Sequence, residues 1–240
     1  MKSRHIVQTK QELIKIIKAA PDDADLNYLD VSLITDMKEL FKNTSFNGKI
    51  DEWDTSNVTD TSLMFYNSKF NQPIGNWDMS NVTNMSLMFH GSPFNQPIGN
   101  WDISNVVDMS WMFFDSPFNQ PIGSWDISKV TNMSGMFFDS PFNQEIGNWD
   151  MSNVADTSWM FSGSKFNQEI GNWDTSNLTQ MNDMFENSPF TGDIRNWRDD
   201  LLDEESKEYL DNYKDTVMIV ELPDIIEIME LPEDDLGDMF

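Results

Sequence analysis

The chain of 240 residues contains no cysteine, which excludes disulfides, thiol catalysis and cysteine-based zinc sites. Histidine is nearly absent too: His5 stands near the N-terminus and His90 in a variable place of a repeat. No nucleophile elbow, phosphate loop or zinc-ligand spacing occurs, and acid pairs are too common for any one to mark a glycosidase. The chain is therefore expected to be no enzyme and to hold no cofactor or metal. No apolar run approaches the roughly 18 residues that span a bilayer. The first apolar stretch, Leu13 to Ala20, is interrupted by Lys15 and Lys18, so no signal peptide is legible. The expectation is no membrane insertion, with a cytoplasmic location as the default.

Positive charge is the other scarcity, with 15 Lys and Arg against 41 Asp and Glu and a formal net charge of −26. Residues 1–45 are balanced, whereas 46–197 and 198–240 each carry −13. Such a surface repels nucleic-acid phosphate and anionic lipid and favours basic partners. No nucleic-acid partner is expected. A protein partner is.

What is abundant is repetition. Trp53, Trp77, Trp101, Trp125, Trp149, Trp173 and Trp197 fall 24 residues apart without slippage. Units beginning at Phe46, Phe70, Phe94, Phe118, Phe142 and Phe166, with a partial one at Phe190, follow the pattern FNQPIGNWDxSNVTxMSxMFxxSP. A degenerate unit precedes them, with Leu26, Asp30, Ser32, Ile34, Met37, Leu40 and Phe41 in the same columns. A fixed period of this size marks a solenoid, whose units bury their apolar faces only against neighbours. The spacing of Val82, Met85 and Phe89 predicts a short α- or 3₁₀-helical turn, and the alternation of Trp77 and Met79 a short strand. Gly and Pro punctuate the corners. The fold expected is a leucine-rich-repeat-type solenoid about 35 Å long, at ~4.8 Å per coil.

Over residues 22–197 the phrase WDxSNVTNMSxMF makes the units resemble BspA-like leucine-rich repeats, in particular the mycoplasma-lipoprotein type. The resemblance implies a right-handed solenoid, displayed on bacterial surfaces, that binds other proteins without catalysis. With no signal peptide and no lipidation cysteine legible, a cytoplasmic location stays the default expectation and the cell surface the alternative that the resemblance implies.

Solenoid ends need covering. Residues 1–21 are read as an N-terminal capping helix, with Thr9 and Glu12 as a capping box and Leu13, Ile16, Ile17 and Ala20 facing inward. After the solenoid at 22–197, residues 198–231 are read as a C-terminal cap. It would comprise an acidic helix over 199–213 facing Leu202, Tyr209, Leu210 and Tyr213 inward, a strand over Val217 to Leu222, and Ile225 to Leu231. Residues 232–240 read as a disordered acidic tail whose ending resembles, over eight residues, the recruiting tails of single-stranded-DNA-binding proteins; a solubilising role is the simpler reading.

Several columns invite a functional reading. Asp54, Asp78, Asp102, Asp126, Asp150 and Asp174 would repel one another if stacked, which suggests calcium or catalysis. Each has Ser two places on, and that spacing suits an Asx turn instead. The Trp and Met columns read as core, and Asn47, Asn71, Asn95, Asn119, Asn143 and Asn167 as a buried amide ladder. Two further tryptophans, Trp111 and Trp159, leave the register. Three residues beyond their column lies another variable one, so Tyr66, Leu87, His90, Trp111, Phe114, Phe138 and Trp159 would share a face if the segment were helical. No repeat scaffold requires aromatics there, and Trp and Tyr are common interface anchors; packing against adjacent coils is the competing explanation. The function expected is a non-catalytic binding scaffold for a basic protein. The alternatives are an acidic mimic occupying a nucleic-acid-binding site, or a component of a larger assembly. Nothing in the sequence fixes the oligomeric state.

Overall fold

The 24-residue period appears directly in the hydrogen bonding. A computed structural model describes residues 4–221 of the chain. Isolated parallel bridges run Asp36 to Asp60, Asp60 to Asn84, Asn84 to Asp108, and onward in the same step to Gln180. Each unit therefore lies beside the next in constant register, and every apolar column becomes a stack. The rings of Phe41, Phe65, Phe89, Phe113, Phe137, Phe161 and Phe185 follow one another at 5.3–5.9 Å. The regular tryptophans are 3–4% exposed. Each indole N–H donates to a main-chain carbonyl 27 residues earlier, as Trp77 Nε1 does to Ile50 (3.1 Å) and Trp101 Nε1 to Ile74 (3.1 Å). The polar end of each buried indole is thus satisfied within the core.

The local backbone differs from the strand-plus-helix expectation. Between Asp30 and Glu204 the described residues contain no helix, and the strand shrinks to single-residue bridges. In their place stand successive tight turns. The N–H groups of Thr61, Leu63, Phe65 and Asn67 donate to carbonyls of the following unit, at Asn84, Ser86, Met88 and His90. The intervening N–H groups of Met64, Tyr66 and Ser68 close turns onto Thr61, Leu63 and Phe65. A helix keeps its hydrogen bonds within the segment. This alternation divides them between turn and neighbour, so the units are joined by main chain as well as by packing. The turns closed by Met64 and Ser68 have positive φ at their third residues, Leu63 (57°) and Asn67 (48°), and Leu87 (58°), Trp111 (57°) and Trp159 (56°) repeat the Leu63 conformation in later units. That conformation costs an L-residue about 1–2 kcal/mol, offset here by the bonds to the next unit.

The corner glycines are explained by proximity. A Cβ on Gly75 would stand 2.8 Å from the Pro97 carbonyl oxygen, and on Gly99 2.6 Å from that of Pro121. Neither carries positive φ. Glycine is required where one coil's main chain presses on the next.

The first unit is covered by β1 (His5–Ile6), parallel to β2 (Leu29–Asp30), and by α1 (Lys10–Ala19), which buries Leu13 and Ile17. Thr9 caps α1 by accepting from Glu12 N–H (3.2 Å). The Glu12 carboxylate accepts from Gln8 N–H (2.8 Å), one residue ahead of the position a capping box would use. At the other end α2 (Glu204–Glu221) replaces the missing next coil with side chains. Where Met133 and Phe137 N–H reach carbonyls of the next unit, Met181 N–H reaches Ser206 Oγ (2.9 Å) and Phe185 N–H reaches Tyr209 Oη (2.8 Å). Tyr213 Oη donates to the Phe190 carbonyl, and Leu202 and Leu210 are buried. The strand expected over Val217 to Leu222 is corrected, since α2 continues through Glu221. The run Val217-Met218-Ile219-Val220 is too short for its periodicity to distinguish strand from helix. Ile225 to Leu231 and the acidic tail lie outside the described residues.

Candidate functional site

The stacked aspartates resolve into main-chain support. Ser56 N–H and Oγ–H both donate to Asp54 Oδ1 (3.1 and 2.6 Å), and Ser104 does the same to Asp102 (3.1 and 2.7 Å). The Ser104 hydroxyl and backbone N–H hold the Asp102 carboxyl below the usual carboxylate range, outweighing burial and the repulsion from Asp126 one unit on. These are the Asx turns that the Asp-x-Ser spacing suggests. A second column of the same kind, Asp60, Asn84, Asp108, Asn132 and Asp156, accepts from N–H groups two residues on. Sequence reading missed it because Asp and Asn alternate there, although they are interchangeable as acceptors in this role. The amide ladder exists but is not buried: Asn47, Asn143 and Asn167 are exposed. Asn71 Oδ1 accepts from Asn95 N–H (3.0 Å) and from Gln96 Nε2 (3.1 Å), so the glutamine column shares the work.

With these columns assigned to the scaffold, the variable aromatics remain. They occupy the tight turns. Trp111 and Trp159 take the left-handed third positions, while Tyr66, His90, Phe114 and Phe138 precede the left-handed residues Asn67, Gly91, Asp115 and Asp139. The i, i+3 reasoning therefore places them on one face for the wrong reason, since turns rather than a helix bring them together. Their rings form a continuous series. Tyr66 stacks on His90 (4.4 Å, 7°), His90 meets Phe114 edge-on (4.4 Å, 80°), and Phe114 meets Phe138 (5.0 Å, 82°). Trp111 contacts Phe114, Phe138 and Trp159 at 5.5, 5.9 and 6.2 Å. Leu87 shares the Trp111 column one unit earlier and is half-buried, without joining the ring contacts.

Trp111 and Trp159 belong to units two apart, and glycine lets them meet. The unit between has Gly135, where a Cβ would lie 2.6 Å from Trp111 Cζ3, so the indole lies over bare backbone. Trp159 is 37% exposed, and its Nε1–H donates to Asp183 Oδ2 (3.2 Å). Tyr66, Leu87, His90, Trp111, Phe114 and Phe138 are half-buried. The stripe thus both packs on itself and faces solvent.

Its ends differ in charge. Lys42 Nζ lies 5.5 Å from the Tyr66 ring centroid, held by Glu39 (2.6 Å). Carboxylates follow along the rest of the stripe, Asp115 near His90 and Phe114, Asp139 after Phe138 and Asp183 at Trp159, and none of the three is in an ion pair among the described residues. Sequence reading missed this polarity because it depends on which turns abut.

His90, between Tyr66 and Phe114, is pushed below its ordinary pKa by burial, with Asp115 partly opposing. Its Nδ1 is buried without a hydrogen-bond partner. A histidine depressed in the folded state binds fewer protons folded than unfolded. Its contribution to stability is full above the unfolded value of about 6.5 and declines as pH falls below it. Thermal unfolding at pH 7.5 and pH 5.5 should show a larger loss for the unaltered chain than for His90→Phe. Equal losses would remove His90 as the cause.

No helix among the described residues is long and apolar enough to cross a membrane. A family model described as "Mycoplasma protein of unknown function, DUF285" matches residues 11–117 and again residues 108–212. No curated protein and no solved structure matches the chain.

Proposed function

We propose that this chain, which belongs to the DUF285 family of mycoplasma proteins of unknown function, is a non-catalytic scaffold that binds a basic protein through its aromatic stripe. The repeat architecture proposed with it is a right-handed BspA-like leucine-rich-repeat solenoid, and the constant 24-residue register of bridges and ring stacks supports that reading. One observation carries the functional reading. Six aromatic side chains make a continuous series of ring contacts across five successive units, in columns that Leu63, Gly135 and Ser162 fill elsewhere without disturbing the turns. Residues as different as Leu63, Gly135 and Asp183 hold the same turn conformation in one column, so the turn backbone does not account for clustered rings. Trp and Tyr bring large rigid contact areas at low entropic cost, and the flanking carboxylates match a basic partner.

Affinity capture from the native source tests the reading. The intact chain should retain a partner that the Trp111→Ala/Trp159→Ala variant loses by at least about tenfold, a fraction of what anchor residues commonly contribute. Capture should persist, though weakened, at about 1 M salt, where the screening length is about 3 Å. Complete loss with salt and indifference to the double substitution would favour an acidic mimic.

A further inference from the structure

The acidic end of the stripe has the components of a receptor for one particular side chain. We infer that Trp159, Trp111 and Asp183 form an arginine subsite, which receives a guanidinium group from an extended segment of the partner protein. The inference rests on the binding role of the stripe and adds to it the chemistry of the anchor.

Three features converge. First, the planes of the two indoles are inclined by 30° with centroids 6.2 Å apart, Trp159 is exposed and Trp111 half-buried, and Trp is the best aromatic acceptor of a cation. Second, the Trp159 indole N–H engages Asp183 Oδ2. That bond fixes a carboxylate beside the ring with Oδ1 still able to accept. A guanidinium is planar and can stack on an indole while donating in its own plane, which a compact ammonium cannot do. Third, the charge gradient along the stripe gives the bound segment a direction. Asp139 and Asp115 continue the acidic rim beside Phe138 and Phe114, and Lys42 covers Tyr66 at the far end. An arginine is attracted to the carboxylates at the Trp159 end, whereas at the Tyr66 end the Lys42 ammonium is already paired with Glu39. The segment therefore lies with its basic part at Trp159 and a neutral part toward Tyr66.

Gly135 has a specific place in this subsite. Any side chain there would displace the Trp111 ring and separate the two indoles. The glycine that interrupts an otherwise bulky column is what makes the pair possible.

The probe is a set of capped eleven-residue Gly/Ser peptides carrying three arginines or three lysines, titrated into the full chain. Indole N–H resonances report on the tryptophans, and Trp111→Phe and Trp159→Phe spectra assign them. The arginine peptide should move the Trp111 and Trp159 indole signals while those of the buried tryptophans stay in place. It should bind at least threefold tighter than the lysine peptide. Asp183→Asn should weaken it by roughly tenfold, the scale of a charge-assisted hydrogen bond. Asp102→Asn, which removes one equal charge from the Asx-turn column, should change it by less than twofold. Equal binding of both peptides, unmoved Trp111 and Trp159 signals, or equal effects of the two Asp substitutions would overturn the subsite. If it fails while the double tryptophan substitution still abolishes partner capture, the stripe remains the binding surface and only the arginine assignment is lost.

Discussion

Replacing Trp77 by alanine should destabilise the chain by about 3–5 kcal/mol, the range for truncating a buried aromatic. The ring is 3% exposed, parallel to Trp53 at 6.3 Å and stacked on Phe65 at 6.2 Å. Its loss opens a cavity between coils and also removes one donor to the Ile50 carbonyl. Trp77→Phe retains most of the ring and should cost less, about 1–2 kcal/mol for the lost indole hydrogen bond and the smaller volume, since the Ile50 carbonyl keeps the Trp53 N–H as a donor. Urea unfolding followed by far-UV circular dichroism gives both numbers. Because each unit contacts only its neighbours, the damage should spread as local opening around Trp53 to Trp101 before the ends unfold. A Trp77→Ala chain with an unchanged midpoint would show that the column does not hold the stack together.

The second large effect is expected at the C-terminal end. Ser206→Ala together with Tyr209→Phe removes the side-chain partners of Met181 and Phe185 N–H while leaving the shape of α2 nearly intact. Each buried donor left unpaired costs about 1–3 kcal/mol. Ser206 is fully buried, so solvent offers Met181 no easy replacement. Amide hydrogen exchange should accelerate at Met181 and Phe185, while Met85 and Phe89, whose partners lie in the next coil, retain their protection. Uniform exchange throughout the chain would mean that α2 lies against the stack without serving as its last coil.

What sequence reveals of this fold and what it hides differ for physical reasons. The columns were legible because repetition exposes them: Trp77, Phe89 and Met85 recur at fixed places, and all are buried. The Asp-x-Ser turn was legible too, because one side chain and its own backbone suffice to form it. The turn backbone was not. Apolar spacing of three and four residues is the same whether a segment is helical or a run of tight turns, and sequence gives no sign that Leu63 and Trp159 adopt positive φ, a conformation rare for bulky residues. Nor could the C-terminal cap be read in detail. Ser206 and Tyr209 sit in an ordinary acidic amphipathic pattern, and their role depends on which N–H groups the last coil leaves open. In the proposed stripe, six of the seven side chains singled out from the sequence have rings that touch in the structure, while the contact between Trp111 and Trp159 across Gly135 depends on three units at once.

On the proposed function the chain has two populations of tryptophan, one holding the stack and one offered to a partner. Equilibrium unfolding of Trp111→Ala/Trp159→Ala beside Trp77→Ala, with partner capture measured on the same preparations, tests it most directly. The double variant should lose less stability than the single core variant, under about 2 kcal/mol, and yet lose capture. A double variant as unstable as Trp77→Ala, or one that still captures the partner, would contradict it: the stripe would then be packing.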